Sequence, residues 1–254
     1  MLLAIDISNT TIKVGVFHND ALVANWRFAT VRQKLADEYA MLLLDLFTAC
    51  SIPAGEISGV SMSCVVPPLR SVFDELARKY LHLAPVIVGP GIKTGVKLAV
   101  DNPREVGADR VVNALATYRL YGGPAIAIAF GTATVFDCIS AQGDYLGGAI
   151  APGVVTALES LTRSAAQLFQ IELVRPPRAI GKNTVHTMQS GLVLGFAGLV
   201  EGLVKRLRSE LGGEAKVIAT GGLAEVIAPV TDVIDVVDLE LTLKGLKLIY
   251  ELNA

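Results

Sequence analysis

Eight consecutive residues near the start of the chain, Asp6-Ile7-Ser8-Asn9-Thr10-Thr11-Ile12-Lys13, place a carboxylate, an amide, three hydroxyls and an ammonium at the end of an apolar strand and in the turn behind it. A carboxylate in that position is costly unless it is paired or faces a metal, which for Mg²⁺ is usually through water. Two readings stay open for Asp6: a metal-facing acid, or an acid that bonds the N–H groups of its own turn. Lys13 is either an anion contact or a solvated strand residue.

A second polar run, Asn102-Pro103-Arg104-Glu105-Val106-Gly107-Ala108-Asp109-Arg110, lies near mid-chain. Read as one helix from the N-cap Asn102 to about Tyr121, it sets Glu105, Asp109 and Asn113 at i, i+4 and i+8 on one face, opposite Val111, Val112 and Leu115. A solvated face is the usual meaning of such a stripe. The alternative gives Asp109 a substrate proton and Arg110 an anionic group.

A third segment, Ala127-Ile128-Ala129-Phe130-Gly131-Thr132-Ala133-Thr134, has the form of the first: laid on Ala4 to Thr11, it matches at Ala, Ile and the final Thr. Each is an apolar strand running into a small, hydroxyl-rich turn. One such turn is most simply a hairpin. Two of them, opening two similar units, could present N–H and hydroxyl groups to a polyphosphate from both sides of a cleft. Other glycine-rich stretches are less telling. Val88 to Gly95 lacks the glycine spacing of a dinucleotide fingerprint, Gly181-Lys182-Asn183-Thr184 has Pro176 where a P-loop needs its first glycine, and Thr220-Gly221-Gly222 reads as a tight strand-to-helix turn.

The elements that must hold these residues follow from periodicity. Strands are expected at Leu2 to Ile7, Thr11 to Phe17, Ala21 to Phe28, Gly59 to Val66 and Pro85 to Val88. Between them lie a helix from Gln33 to Cys50, with a buried stripe of Leu35, Tyr39, Leu42, Leu43, Leu46 and Phe47, and one from Pro67 to Leu81. The order then repeats: strands at Ala125 to Phe130, Thr134 to Ile139 and Tyr145 to Ile150, helices at Gly153 to Leu168 and Thr184 to Leu211, a strand at Lys216 to Ala219 and a last helix from Leu239 to Leu252. Three strands, helix, strand, helix, twice over, indicate a duplicated α/β unit, with domains expected at 1–120 and 121–254.

Composition fits this plan. The 254 residues are 52% hydrophobic and 18% charged, a balance suited to sheets covered on both faces. The uncharged run from Leu120 to Phe136 is broken by Gly122, Gly123, Pro124 and Gly131, so no membrane-spanning segment is expected. A net charge of -2 without a basic block makes nucleic acid an unlikely partner, and three cysteines without CxxC spacing suit reduced thiols in a cytoplasmic protein.

Taken together, the segments resemble the type III pantothenate kinases of the acetate and sugar kinase, chaperone and actin superfamily. The resemblance runs from Asp6 to Thr220-Gly221-Gly222 and is carried by Asp6-Ile7-Ser8-Asn9-Thr10, Asp101-Asn102-Pro103 leading to Gly107-Ala108-Asp109-Arg110, Phe130-Gly131-Thr132-Ala133-Thr134, Gly147 to Gly153 and Gly181-Lys182-Asn183-Thr184. It implies two actin-like (ribonuclease H-like) ATPase domains, each a mixed sheet with flanking helices and with a cleft between them. It also implies ATP-dependent phosphorylation of pantothenate, the first step of coenzyme A synthesis, by a cytoplasmic homodimer that uses Mg²⁺ and a monovalent cation, K⁺ or NH₄⁺. By similarity, Asp6 to Lys13 and Thr132 would bind ATP, with Asp6 on the Mg²⁺ side. Gly107, Ala108, Asp109, Arg110, Thr184 and the Val100 position would hold pantothenate, with Asp109 as general base. Three positions depart from the family pattern: Ser8 stands for Gly, Val100 for an aromatic residue, and Ala129 for the Asp that helps coordinate the monovalent cation. Ala129 and Val100 also admit a second reading, a catalytically weakened nucleotide- or pantothenate-binding regulator.

Overall fold

The computed structural model describes residues 1–254. In chain order its main elements are β1 (Leu2–Ile7), β2 (Thr11–His18), β3 (Ala21–Ala29), α1 (Ala36–Ala49), β4 (Gly59–Cys64), α2 (Pro67–Tyr80), β5 (Val86–Ile87) and α3 (Ala108–Tyr121). There follow β6 (Ala125–Phe130), β7 (Ala133–Ile139), β8 (Tyr145–Pro152), α4 (Val154–Ser164), α5 (Thr184–Gln189), α6 (Gly195–Glu210), β9 (Lys216–Gly221), α7 (Ala224–Ile227), β10 (Val236–Val237) and α8 (Leu241–Asn253).

The two five-stranded sheets have the same topology. The first has the order β3-β2-β1-β4-β5, and the second, read from its other edge, β8-β7-β6-β9-β10. In each, three antiparallel strands are followed by two parallel ones. Register repeats too: Leu2 pairs with Gly59 as Ala125 pairs with Lys216. A bulge recurs at one place, between Val16 and Phe17 and between Cys138 and Ile139. The match of Thr11 with Thr134 does not survive, because Ile7 pairs with Ile12 whereas Phe130 pairs with Thr134. The second turn is one residue shorter, so Thr134 corresponds to Ile12, and Val135 to Lys13.

The chain divides into two compact units, one of Met1–Gly95, Asn102–Ala116 and Thr242–Ala254, the other of Val96–Asp101 and Thr117–Leu241. A single cut after residue 120 therefore misses the return of the C-terminal helix to the first unit. Bare backbone admits that helix: a Cβ on Gly15 would lie 2.9 Å from Leu243, and one on Gly59 would overlap the Tyr250 ring. In the first unit Leu3, Ile5, Ile7, Val60 and Met62 face α1 and α2 across one core, which sends Ala4, Asp6, Ser61 and Ser63 to the other sheet face. The second unit repeats the arrangement, with Ile126, Ile128, Phe130, Val217 and Ala219 in its core.

Three expectations change in detail. Helix α1 starts at Ala36, where the Glu38 carboxylate accepts from the Leu35 N–H at 2.9 Å. Leu35 is thus a helix-terminal residue, 66% exposed, and Leu42 also lies outside the buried stripe. The mid-chain helix is broken: Pro103–Glu105 forms a 3-10 turn capped by Asn102, Val106 is extended, and α3 begins only at Ala108. Residues 184–210 form one long helix with a π-helical segment at Ser190–Leu194, long and apolar enough by composition alone to cross a bilayer. The longest uncharged run is 183–200 rather than Leu120 to Phe136, and Val193, Phe196, Val200 and Val204 pack into the second core.

Candidate active site

In the first unit, Asp6 is the last inward polar residue of β1, 3% exposed. It lies directly across from Lys13 on β2 and from Ser63 on β4. The Ser63 hydroxyl donates to Asp6 Oδ1 at 2.7 Å, and the Ser8 hydroxyl to Oδ2 at 3.2 Å. Burial pushes the Asp6 carboxyl above the ordinary carboxylate range, with Lys13 and the two serines pulling it back. Two hydroxyls and one opposed ammonium make a buried acid tolerable and leave its charge available to a hydrated cation, so the donor set fits Mg²⁺ held through water.

The turn behind Asp6 is braced from outside. Ser8 N donates to Thr11 O at 3.2 Å, Thr30 N to Thr10 O at 3.0 Å and the Thr30 hydroxyl to Ser8 O at 2.7 Å, while Arg32 Nη2 donates to Asn9 Oδ1 at 3.2 Å. Ser63, Thr30 and Arg32 escaped the sequence reading. Alternation of Ser61 and Ser63 with apolar Val60 and Met62 was the one available signal for Ser63. Thr30 and Arg32 lie some twenty residues from the turn, beyond any local pattern.

Asp109 stands in the first turn of α3, at the helix end that favours negative charge. Its Oδ1 accepts from the Arg110 N–H at 3.0 Å. Burial raises its pKa first and the nearby Asp6 charge second, against that N–H and the Arg110 charge. The break before α3 accounts for this placement. A Cβ on Gly107 would lie 2.6 Å from Asp109 Oδ1, so only glycine leaves the carboxylate that room.

The expected solvated stripe is thereby corrected. Of its three members only Glu105 is exposed, accepting from Asn102 Nδ2 at 2.6 Å. Asn113 is buried and accepts from the Thr242 hydroxyl of α8 at 2.8 Å. Asp6, Ser8, Lys13, Asp109 and Arg110 thus all belong to one unit, with Gly107 and Ala108 forming the lead into α3.

Thr132, Thr184, Val100 and Ala129 belong to the other unit. The Thr132 carbonyl accepts from Gly153 N at 3.0 Å and from the Thr156 hydroxyl at 2.7 Å, which ties the second turn to the start of α4 and leaves residues 131 and 132 exposed. Thr184 opens α5 behind the N-cap Asn183, whose Oδ1 accepts from His186 N at 2.8 Å. With Leu161, Leu168, Met188 and Leu192 it lines a cavity of about 720 Å³. Val100 lies over β8, 3.6 Å from where a Cβ on Gly147 would stand.

At the position corresponding to Asp6 stands Ala129, opposite Thr220 as Asp6 is opposite Ser63, and opposite Val135 as Asp6 is opposite Lys13. The Thr220 hydroxyl is buried without a hydrogen-bond partner. A methyl, an isopropyl and one hydroxyl do not fit a monovalent cation, which needs several oxygens or a negative charge to replace its water. The nearest carboxylate on this sheet face, Asp137, is one row further in, opposite Ala127, and accepts from the Tyr145 hydroxyl at 3.1 Å.

Comparison with known proteins bears on this arrangement. Residues 2–206 match the model of the family described as type III pantothenate kinase. Curated proteins named Type III pantothenate kinase are 56% identical in Roseiflexus sp. (strain RS-1), over 100% of this chain and 99% of the relative, and 53% identical in Moorella thermoacetica, over 100% of each. Among solved structures, an inorganic polyphosphate/ATP-glucomannokinase from Arthrobacter sp. strain KM aligns over 100% of this chain and 99% of its own, with a TM-score of 0.54 at 16% identity, a likeness of fold.

Proposed function

The chain belongs to the type III pantothenate kinase family and phosphorylates pantothenate with ATP, the first step of coenzyme A synthesis; from that premise we propose that Asp109 is its general base. The observation that carries the proposal is a partly buried carboxylate at a helix N-terminus, its pKa raised by burial and by the neighbouring Asp6 charge. Such a group takes a proton more readily than an exposed carboxylate.

In the reaction, the primary hydroxyl of pantothenate attacks the γ-phosphorus of ATP and the bond to the β,γ-bridging oxygen breaks, releasing ADP. The hydroxyl proton passes to Asp109. Transfer of this kind needs alignment and charge neutralisation more than covalent help. Arg110 pairs with the pantothenate carboxylate, while Gly107 and Ala108 let the substrate approach α3 closely. Thr184 and Val100 supply further substrate contacts. The turn Ser8 to Thr11 offers N–H and hydroxyl donors to the ATP phosphates, Ile7 and Ile12 anchor it in the sheet, Lys13 adds a positive charge and Thr132 adds a contact from the second turn. Asp6 would hold Mg²⁺ through water, and the ion would supply neutralisation of phosphate charge. We take the enzyme to be a cytoplasmic homodimer, as the family resemblance suggests, with no nucleic acid or membrane partner.

Asp6, Asp109, Arg110 and Thr184 are all present, and no observation favours a non-catalytic regulator. The test is formation of ADP and phosphopantothenate by the purified chain with MgATP and pantothenate. Product that vanishes in Asp109→Asn while ATP binding persists supports the assignment, whereas near-normal turnover in that variant removes Asp109 from the role.

A further inference from the structure

We propose that this kinase works without a monovalent cation, having lost the carboxylate on which such an ion would rest. The inference builds on the activity above and concerns the second unit alone. The duplicated registers allow a residue-by-residue comparison: the corner Asp6, Lys13, Ser63 of the first sheet corresponds to Ala129, Val135, Thr220 of the second. In the first corner the β4 hydroxyl donates to the carboxylate at 2.7 Å. In the second the β9 hydroxyl occupies the same register position, buried, with nothing to bond.

A buried hydroxyl without a partner is uncommon and destabilising, and here its register partner has a methyl where a carboxylate would accept its proton. Ser61, Thr117 and Thr231 also carry buried hydroxyls without partners, so the point at Thr220 is its register position: it lies opposite Ala129 as Ser63 lies opposite Asp6, and Ala129 supplies no acceptor. A bare K⁺ or NH₄⁺ at this point would face one neutral hydroxyl and two apolar side chains, and its lost hydration would go uncompensated. Asp137 does not make up the deficit, since it lies one row deeper and binds the Tyr145 hydroxyl. The phosphate charge would then be left to Lys13, to the N–H groups of the turns and to Mg²⁺ where Asp6 would hold it.

The experiment has two arms, and the second needs no turnover. ADP release with MgATP and pantothenate is followed in buffers holding only sodium or tetramethylammonium counterions, then with K⁺ or NH₄⁺ added at equal ionic strength. A change of less than about twofold is expected, and an activation of about tenfold or more overturns the proposal. In parallel, the unfolding midpoint is measured in K⁺ and in Na⁺ for the native chain, for Ala129→Asp and for Ala129→Asp with Thr220→Val. The native midpoint should be the same in the two salts, Ala129→Asp should gain an upward shift specific to K⁺, and Thr220→Val should reduce that gain. A K⁺-specific rise in the native chain overturns the proposal, and a folded Ala129→Asp protein that ignores K⁺ overturns its assignment to position 129. Absence of product in every salt would count against the kinase reading, and the native midpoints would still decide this one.

Discussion

Two corners of the molecule, built on the same strands in the same register, differ at every polar position that matters. At the end of β1 a carboxylate accepts from a serine hydroxyl, and an ammonium stands opposite it in register and favours its charge. At the end of β6 the corresponding residues are Ala129, Val135 and Thr220, of which only the last is polar and its hydroxyl is unpartnered. Main-chain pairing preserves the shape of both corners, because strand register depends on backbone hydrogen bonds and on the apolar residues facing the core. The side chains on the opposite face are free to diverge. The first corner, with Asp109 in the same unit, holds the groups expected to carry charge and move a proton, and the second keeps a turn tied to the start of α4.

The sharpest test of this asymmetry is Asp109→Asn. Turnover should fall by about 10²- to 10⁴-fold, the usual worth of a general base, while the binding of MgATP changes little. The same variant should be more stable than the native chain at neutral pH. The Asp109 pKa is raised in the folded protein, so the unfolded chain holds the charged form more readily, and stability falls as pH climbs from the ordinary carboxylate value through the raised one. Denaturation midpoints at pH 4 and pH 7 check this: the gain from Asp109→Asn should appear at pH 7 and fade at pH 4. In the native enzyme the acid limb of kcat should likewise lie above the ordinary carboxylate pKa.

A smaller effect compares the two hydroxyls. Ser63→Ala removes a donor from a buried carboxylate and should destabilise by about 1.5–3 kcal/mol at neutral pH, with an upward move of the Asp6 pKa seen by carboxyl NMR. Thr220→Val should act in the other direction, stabilising by up to about 1 kcal/mol, or about 2–4 °C in a chain of this length, because it deletes a hydroxyl that has no partner. Equal losses at the two sites would show that the corners are more alike than their bonding indicates.

Much of this was legible in the chain. Strand and helix order, both polar turns, the Pro67-Pro68 helix start and the duplication follow from periodicity and turn chemistry, which act over a few residues. The break before α3 was not legible, since Asn102-Pro103 is a good helix opening and nothing in the local pattern marks the extended Val106 or the restart at Ala108. The solvated reading of Glu105, Asp109 and Asn113 failed for a related cause. Amphipathic spacing says which residues share a face but not what covers it, and α8, arriving from the far end of the chain, covers Asn113.

By itself the amino-acid sequence determined the secondary elements, the repeated topology and the identity of the groups able to do chemistry, because each rests on local spacing or on residue type. Tertiary structure alone decided that Ser63 bonds Asp6 across fifty-seven positions, that Thr30 and Arg32 hold the first turn, and that Thr220 lies unpartnered opposite Ala129. Those relations depend on which strands pair and in what register. Register is set by the whole sheet and its core, a property that no short window of sequence contains.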